Sequence, residues 1–260
     1  MVKQKTGIDE LTSPTIELMR SHRSVRAFRP DPLPDGWIEA IIEAAQWASS
    51  SCFRQAYSVI AVKDPETKRD LRRLCGGQRW LEECPVFLAF CADLNRLDDI
   101  CIQQGKHVNL ELTESLLMTA IDVALFMQNA ALAAESLGLG VVMIGSLRDH
   151  PREVIRLLSL PPAVIGISGM CLGYPAALPG QRPRLPLAEV LHWERYRPDG
   201  RQERLAAYDE SVRAAAVYRK RDGALDGWTD VMARTASKRP PEEGRYQLRE
   251  ILQEQGFEMK

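Results

Sequence analysis

Residues 115–134 read SLLMTAIDVALFMQNAALAA, and how this stretch is read decides the fold. It is long enough to cross a bilayer. Asp122, Gln128 and Asn129 sit near its middle, however, and no basic anchors flank it. Such groups are costly in lipid. The better reading is a helix over 108–137, apolar almost all round, which belongs in a core or between subunits. Gly138-Leu139-Gly140 ends it sharply. Val141 to Ile144 then reads as a strand, followed by Gly145-Ser146.

Working outward, YSVIAV (57–62) and PVFLAFCA (85–92) read as buried strands on either side of a helix over 65–75, which Gly76-Gly77 stops. Asp35 to Ala48 has helical periodicity, with Ile38, Ile41, Ile42 and Ala45 on one side, and Ser49-Ser50-Ser51-Cys52-Phe53 breaks it. Downstream, a helix over 150–159 precedes a strand region, AVIGISGMCLGY (163–174), then a loop over 175–186 and a short strand over 190–193. Beyond about 197 apolar positions thin out and charged residues dominate, which predicts surface helices. The pattern is that of an α+β layered protein, with a core over 12–196 and a helical extension over 197–260.

Composition narrows the function. The 260 residues carry 34 Lys and Arg against 35 Asp and Glu, a net charge of −1, so the basic excess of a nucleic-acid binder is missing. Met1-Val-Lys-Gln-Lys-Thr-Gly lacks the apolar centre of a signal peptide, and a cytoplasmic protein is expected. The six cysteines (52, 75, 84, 91, 101 and 171) form no Cys-x-x-Cys pair and no histidine has zinc-ligand spacing, so reduced thiols and no metal are expected.

Five places hold polar or glycine residues that packing does not require: His22–Arg26, Ser49–Cys52, Gly76-Gly77-Gln78, Gly145-Ser146 and Arg182–Arg184. His22, Arg23, Ser24 and Arg26 fall within five positions, and Arg182-Pro-Arg184 forms a second cluster. Guanidinium forks beside a hydroxyl suit a phosphate; the plain alternative is a set of solvated charges at a helix end. No dinucleotide fingerprint, Walker loop, nucleophile elbow or zinc-protease motif is present. Without an acid–base or nucleophile set, the hard chemistry falls to a bound cofactor.

The order HRSVRAF, ASSSCFRQ, GGQ, LGLGVVMIGSLR, LPPAVIGISGMCLGYP, RPRLP, spanning nearly the whole chain, resembles the nitroreductase superfamily, in its oxygen-insensitive NADPH nitroreductase and flavin reductase P branch. The resemblance implies a nitroreductase-like fold with a central mixed sheet, and a homodimer holding FMN between subunits. It also implies ping-pong hydride transfer from NADPH or NADH to nitroaromatics, quinones or free flavins, with the C-terminal extension serving the dimer and the NAD(P)H site. On the flavin it places His22, Arg23 and Ser24, with Arg26 near N1 and the C2 carbonyl. Ser49, Ser50, Ser51 and Cys52 come from the partner subunit, and Gln78 meets the pyrimidine edge. Met143, Ile144, Gly145 and Ser146 lie by N5, and Arg182 and Arg184 reach the phosphate. Arg221, with Arg219 and Lys220 beside it, matches the donor's 2′-phosphate site. Cys52, Met143 and Ser146 depart from the family's usual Ser, Tyr and Gly. The departures leave two alternatives open: a non-catalytic flavin or mononucleotide binder, and the same fold with another FMN reaction such as reductive dehalogenation.

Overall fold

A computed structural model describes residues 11–238 and 244–260; the reading of the first seven residues lies outside them. In chain order the helices and strands are α1 (Pro14–Ser21), α2 (Trp37–Ala45), β1 (Tyr57–Val62), α3 (Pro65–Leu74), α4 (Trp80–Glu83), β2 (Val86–Asp93), α5 (Asn95–Gln103), α6 (Thr113–Ser136), β3 (Gly140–Ile144), α7 (Pro151–Leu157), β4 (Val164–Gly173), α8 (Arg201–Ala214), β5 (Tyr218–Arg219), β6 (Leu225–Asp226), α9 (Trp228–Ala236) and α10 (Leu248–Glu254). They fall into two compact units, Met1–Pro179 with Pro241–Lys260, and Gly180–Pro240.

The first unit is built on a four-stranded sheet of order β1-β2-β4-β3. All three strand pairings are antiparallel. The expected mixed sheet therefore reduces, among the described residues, to one parallel bridge between Ser24 and Val141. Every residue of β2 is buried, as a continuous apolar run between two neighbouring strands should be. Its side chains alternate between layers. Val86, Leu88, Phe90 and Ala92 pack with residues of α2 and α6 on one face, whereas Phe87 and Ala89 pack with residues of α3 and α7 on the other.

Among the described residues α6 is the one helix long and apolar enough to span a membrane. It instead packs on the sheet through Phe126, which stacks on Tyr57 at 4.3 Å between centroids and meets Phe90 edge-on at 5.7 Å. It begins at Thr113, not Val108, and it is two-sided rather than uniformly buried. Val123, Phe126 and Ala130 face the core, while Leu117, Ile121 and Leu125, four apart, are exposed.

The ends of the elements follow their sequence signals. Ser13 caps α1 by accepting from Ile16 N at 3.3 Å, and Asp64 caps α3 by accepting from Thr67 N at 2.7 Å. Gly76 and Gly77 adopt φ of 73° and 70°, and Gly77 N returns to Arg72 O at 2.9 Å, closing α3.

Three features depart from the sequence reading. Residues 190–193 form no strand; a single 3-10 turn, Leu187–Glu189, precedes them. Helix α5 and the β5–β6 hairpin had no clear periodic signal. The units divide at Gly180, where composition put a boundary at 196/197. The loop after Gly180 packs within its own unit: Glu189, only 6% exposed, is gripped by Arg201 and Arg204, and Tyr208 donates to Pro183 O at 3.1 Å. The final residues belong instead with the sheet, where Ile251, Leu252 and Phe257 join the core.

Candidate functional site

The segment after α1 is drawn along β3. Ser24 bridges Val141, and Val25 N donates to Val141 O at 2.9 Å. This approach needs Gly140, because a Cβ there would meet Val25 Cγ2 at 2.6 Å. Arg26 then lies with its guanidinium carbon 5.8 Å from the centre of the Trp80 ring.

Two residues before Trp80, Gln78 Nε2 donates to Ser146 Oγ at 2.7 Å, and Ser146 Oγ donates to Cys75 O at 2.9 Å. Ser146 is buried in the turn that follows β3, beside buried Ile144 and exposed Gly145. Met143 is half-buried one position earlier. Ser24, Arg26, Gln78, Ile144, Gly145 and Ser146 are thus brought together around β3, from three separate stretches of chain.

His22 joins this group through a partner that sequence reading missed. Its Nδ1 is 2.6 Å from Glu135 Oε1, near the C-terminus of α6. That contact occupies Nδ1 and leaves Nε2 for a ligand. Arg23 lines a cleft of about 350 Å3 with Val25, Glu135, Gly140 and Pro175, and its Nε is buried without a partner among the described residues.

Ser49–Cys52 lies against the middle of α6. Asp122, 1% exposed, accepts from Ser51 N at 2.9 Å, and Ser50 Oγ accepts from Gln55 N at 3.3 Å. These bonds hold a loop in which Cys52, Phe53 and Gln55 take φ of 50°, 58° and 51°. Each left-handed non-glycine residue costs about 1–3 kcal/mol, and such strain clusters at ligand sites. Cys52 is exposed, as are Trp47 and Phe53, at 84% and 81%. Thirteen residues of helix separate Asp122 from Glu135, or about 20 Å at 1.5 Å per residue. Within one chain the loop held by Asp122 and the His22–Glu135 contact therefore lie far apart along α6.

The remaining candidates belong to the second unit. Arg182 and Arg184 line a cleft of about 400 Å3 with Tyr208, Tyr218 and Trp228. Neither arginine enters an ion pair among the described residues. Arg219 lies on β5 and Arg221 in the turn after it; both are exposed and free of ion pairs among the described residues. Lys220, by contrast, has acidic company. Its Nζ is 2.7 Å from Asp226 Oδ1, and Arg234 takes the other oxygen at 3.0 Å. The hydrogen bond from Lys220, followed by that from Arg234, holds the Asp226 carboxyl below the usual carboxylate range. Lys220 closes its hairpin. No group of three or more metal-ligating side chains occurs among the described residues.

Comparison with known proteins shows the family. The model of the nitroreductase family matches residues 19–174, and that of the nitroreductase family C-terminal domain matches 182–260. The oxygen-insensitive NADPH nitroreductase of Salmonella typhimurium is 42% identical over 94% of this chain and 98% of its own. The FMN reductase (NADPH) of Bacillus subtilis is 36% identical over 94% and 98%. The solved structure of B. megaterium NfrA1 superposes with a TM-score of 0.87 at 42% identity, covering 95% of this chain and all of that one.

Proposed function

Because the chain belongs to the nitroreductase family, we propose that the loop and the β3 group are two half-sites, joined across a homodimer to hold FMN. The protein is an NAD(P)H-dependent flavoprotein oxidoreductase of the nitroreductase and flavin reductase kind. Bound FMN supplies hydride acceptance from NAD(P)H at N5 and hydride delivery to the acceptor.

The residues present fit that cofactor. The carbonyl oxygen of Gln78 takes no hydrogen bond among the described residues. A Cβ on Gly145 would meet only Arg148 Nη2, at 4.0 Å, so the backbone there is open to a ring. Arg26 supplies a fixed cation for the electron-rich edge of the ring, held in place by Trp80. His22 Nε2 and the Ser24 hydroxyl supply donors to the ribityl phosphate; Arg182 and Arg184, on the second unit, are cationic forks of the kind a phosphate takes. Ser49, Ser50 and Ser51, with Cys52, form the partner subunit's contribution. Exposed Arg221, with Arg219 beside it, draws the 2′-phosphate of NADPH. The enzyme is read as cytoplasmic, acting on permissive small acceptors such as nitroaromatics and quinones.

The observation that carries this reading is the hydrogen-bonded group around β3, which collects Ser24, Arg26, Gln78 and Gly145 from three stretches of chain. Purified protein should be yellow, with FMN released on denaturation. Anaerobic mixing with NADPH should bleach it, and a nitroaromatic should restore the colour. Protein that stays colourless after incubation with FMN would overturn the cofactor assignment. Bound FMN that neither nicotinamide donor bleaches would mark a binder instead. Arg221→Ala should raise KM for NADPH severalfold and leave NADH unchanged; an equal effect on both donors would remove the 2′-phosphate role.

A further inference from the structure

Ser146 is buried between two groups whose chemistry leaves its single proton no choice. Cys75 O, at 2.9 Å, can only accept, so the hydroxyl proton goes to it. The second neighbour, Gln78 at 2.7 Å, must therefore donate, and a Gln amide can do so only through Nε2. The relay Gln78 N–H to Ser146 Oγ–H to Cys75 O removes the usual twofold ambiguity of a glutamine amide. It fixes the NH2 group toward the protein and leaves the carbonyl oxygen with both lone pairs open.

Cys75 O belongs to the end of α3, where carbonyls lack helical partners, so the acceptor at the base of the relay is set by the fold. Burial of Ser146 excludes water that could otherwise substitute for the hydroxyl.

We propose that Ser146 is a positioning residue that locks Gln78 with its amide oxygen facing the flavin, so that the site reads the N3–H of the pyrimidine edge. This rests on the FMN assignment above. An unlocked amide can rotate and present either an acceptor or a donor to that edge. A locked one accepts from N3–H, and its remaining N–H can reach a flanking carbonyl. A flavin methylated at N3 has no proton to give and is penalised only while the amide oxygen is held there.

The test compares FMN with 3-methyl-FMN for binding to the apoprotein, by fluorescence titration, in wild type, Ser146→Ala, Gln78→Ala and the double variant. The wild type should prefer FMN about fivefold to tenfold, the worth of one neutral hydrogen bond. Ser146→Ala should lose most of that preference and Ser146→Thr, which keeps the hydroxyl, should retain it. Adding Ser146→Ala to Gln78→Ala should change nothing further. Two-dimensional NMR of the apoprotein should show one protected Gln78 side-chain proton, absent in Ser146→Ala. If Ser146→Ala kept the full preference while binding FMN, or lowered it equally without Gln78, the positioning role would be refuted. If the wild type bound neither flavin, the FMN reading would fall instead.

Discussion

Two places on α6, its C-terminal end and its middle, do opposite work with the same chemistry. At one end Glu135 holds the His22 ring, and the β3 group beside it is internally bonded. At mid-helix, Asp122 holds only the backbone N–H of Ser51, and the loop it steadies carries strain, an exposed thiol and two exposed aromatic rings. One place is finished within the chain. The other holds a loop with three left-handed non-glycine residues. The exposed Leu117, Ile121 and Leu125 on the same helix form an apolar face, and the homodimer proposed above would use it to join two copies.

The most severe way to break that pairing is to charge the helix face. Ile121→Arg should convert the dimer to monomer in sedimentation and strip the protein of FMN, with the fold retained by circular dichroism. A dimeric, yellow variant would remove the helix face from the account. Next is Arg26→Ala at the finished end. Loss of a charge-assisted contact costs about 1.5–3 kcal/mol, so FMN should bind roughly tenfold to a hundredfold more weakly. Unchanged affinity would detach Arg26 from the ring. Asp122→Ala acts on the strained loop. Freeing Ser51 N should weaken FMN binding by about tenfold while thermal stability falls by only a few degrees; a collapse in stability with normal affinity would make the carboxylate purely structural.

The mildest test sharpens the contrast without disturbing it. Burial pushes the thiol of Cys75, next to the finished end, up to about 12, with Asp149 adding to the shift; Cys91 is likewise pushed up to about 12, with Asp93 contributing. Both stay protonated across the neutral range and shielded from reagent. Exposed Cys52 should react with a thiol reagent in the folded apoprotein, with a rate that rises with pH, whereas Cys75 and Cys91 should react only after unfolding. Prior FMN binding should slow Cys52. Equal labelling of all three thiols would deny the difference between the two places.

Much of this was legible in the chain because it rests on local rules. The apolar runs at 57–62 and 85–92 both form strands, the second wholly buried as expected and the first buried only at Tyr57 and Val62, and Gly76-Gly77 stops a helix. The ordered motifs located Ser24, Arg26, Gln78 and Gly145. What stayed hidden depends on tertiary pairing. Glu135 and Asp122 are single acids in a long helix, and no spacing rule says that one will meet His22 and the other Ser51 N. Lys220 resembles a phosphate ligand, and only the folded hairpin shows Asp226 beside it. The one partial clue was the polarity of Asp122 inside an apolar run, which sequence reasoning used only to dismiss a membrane span.

The central claim is that each flavin site takes one half from each chain, and mixing two defective chains tests it directly. One chain carries Arg26→Ala and the other carries Ser49→Ala, Ser50→Ala and Ser51→Ala together. Each alone should retain little FMN. A heterodimer purified through two different tags should recover one intact site, and so bind about one FMN per dimer with near wild-type affinity. If the sites were each completed within a single chain, both would carry a lesion, the heterodimer would bind no better than its parents, and the shared site would be contradicted.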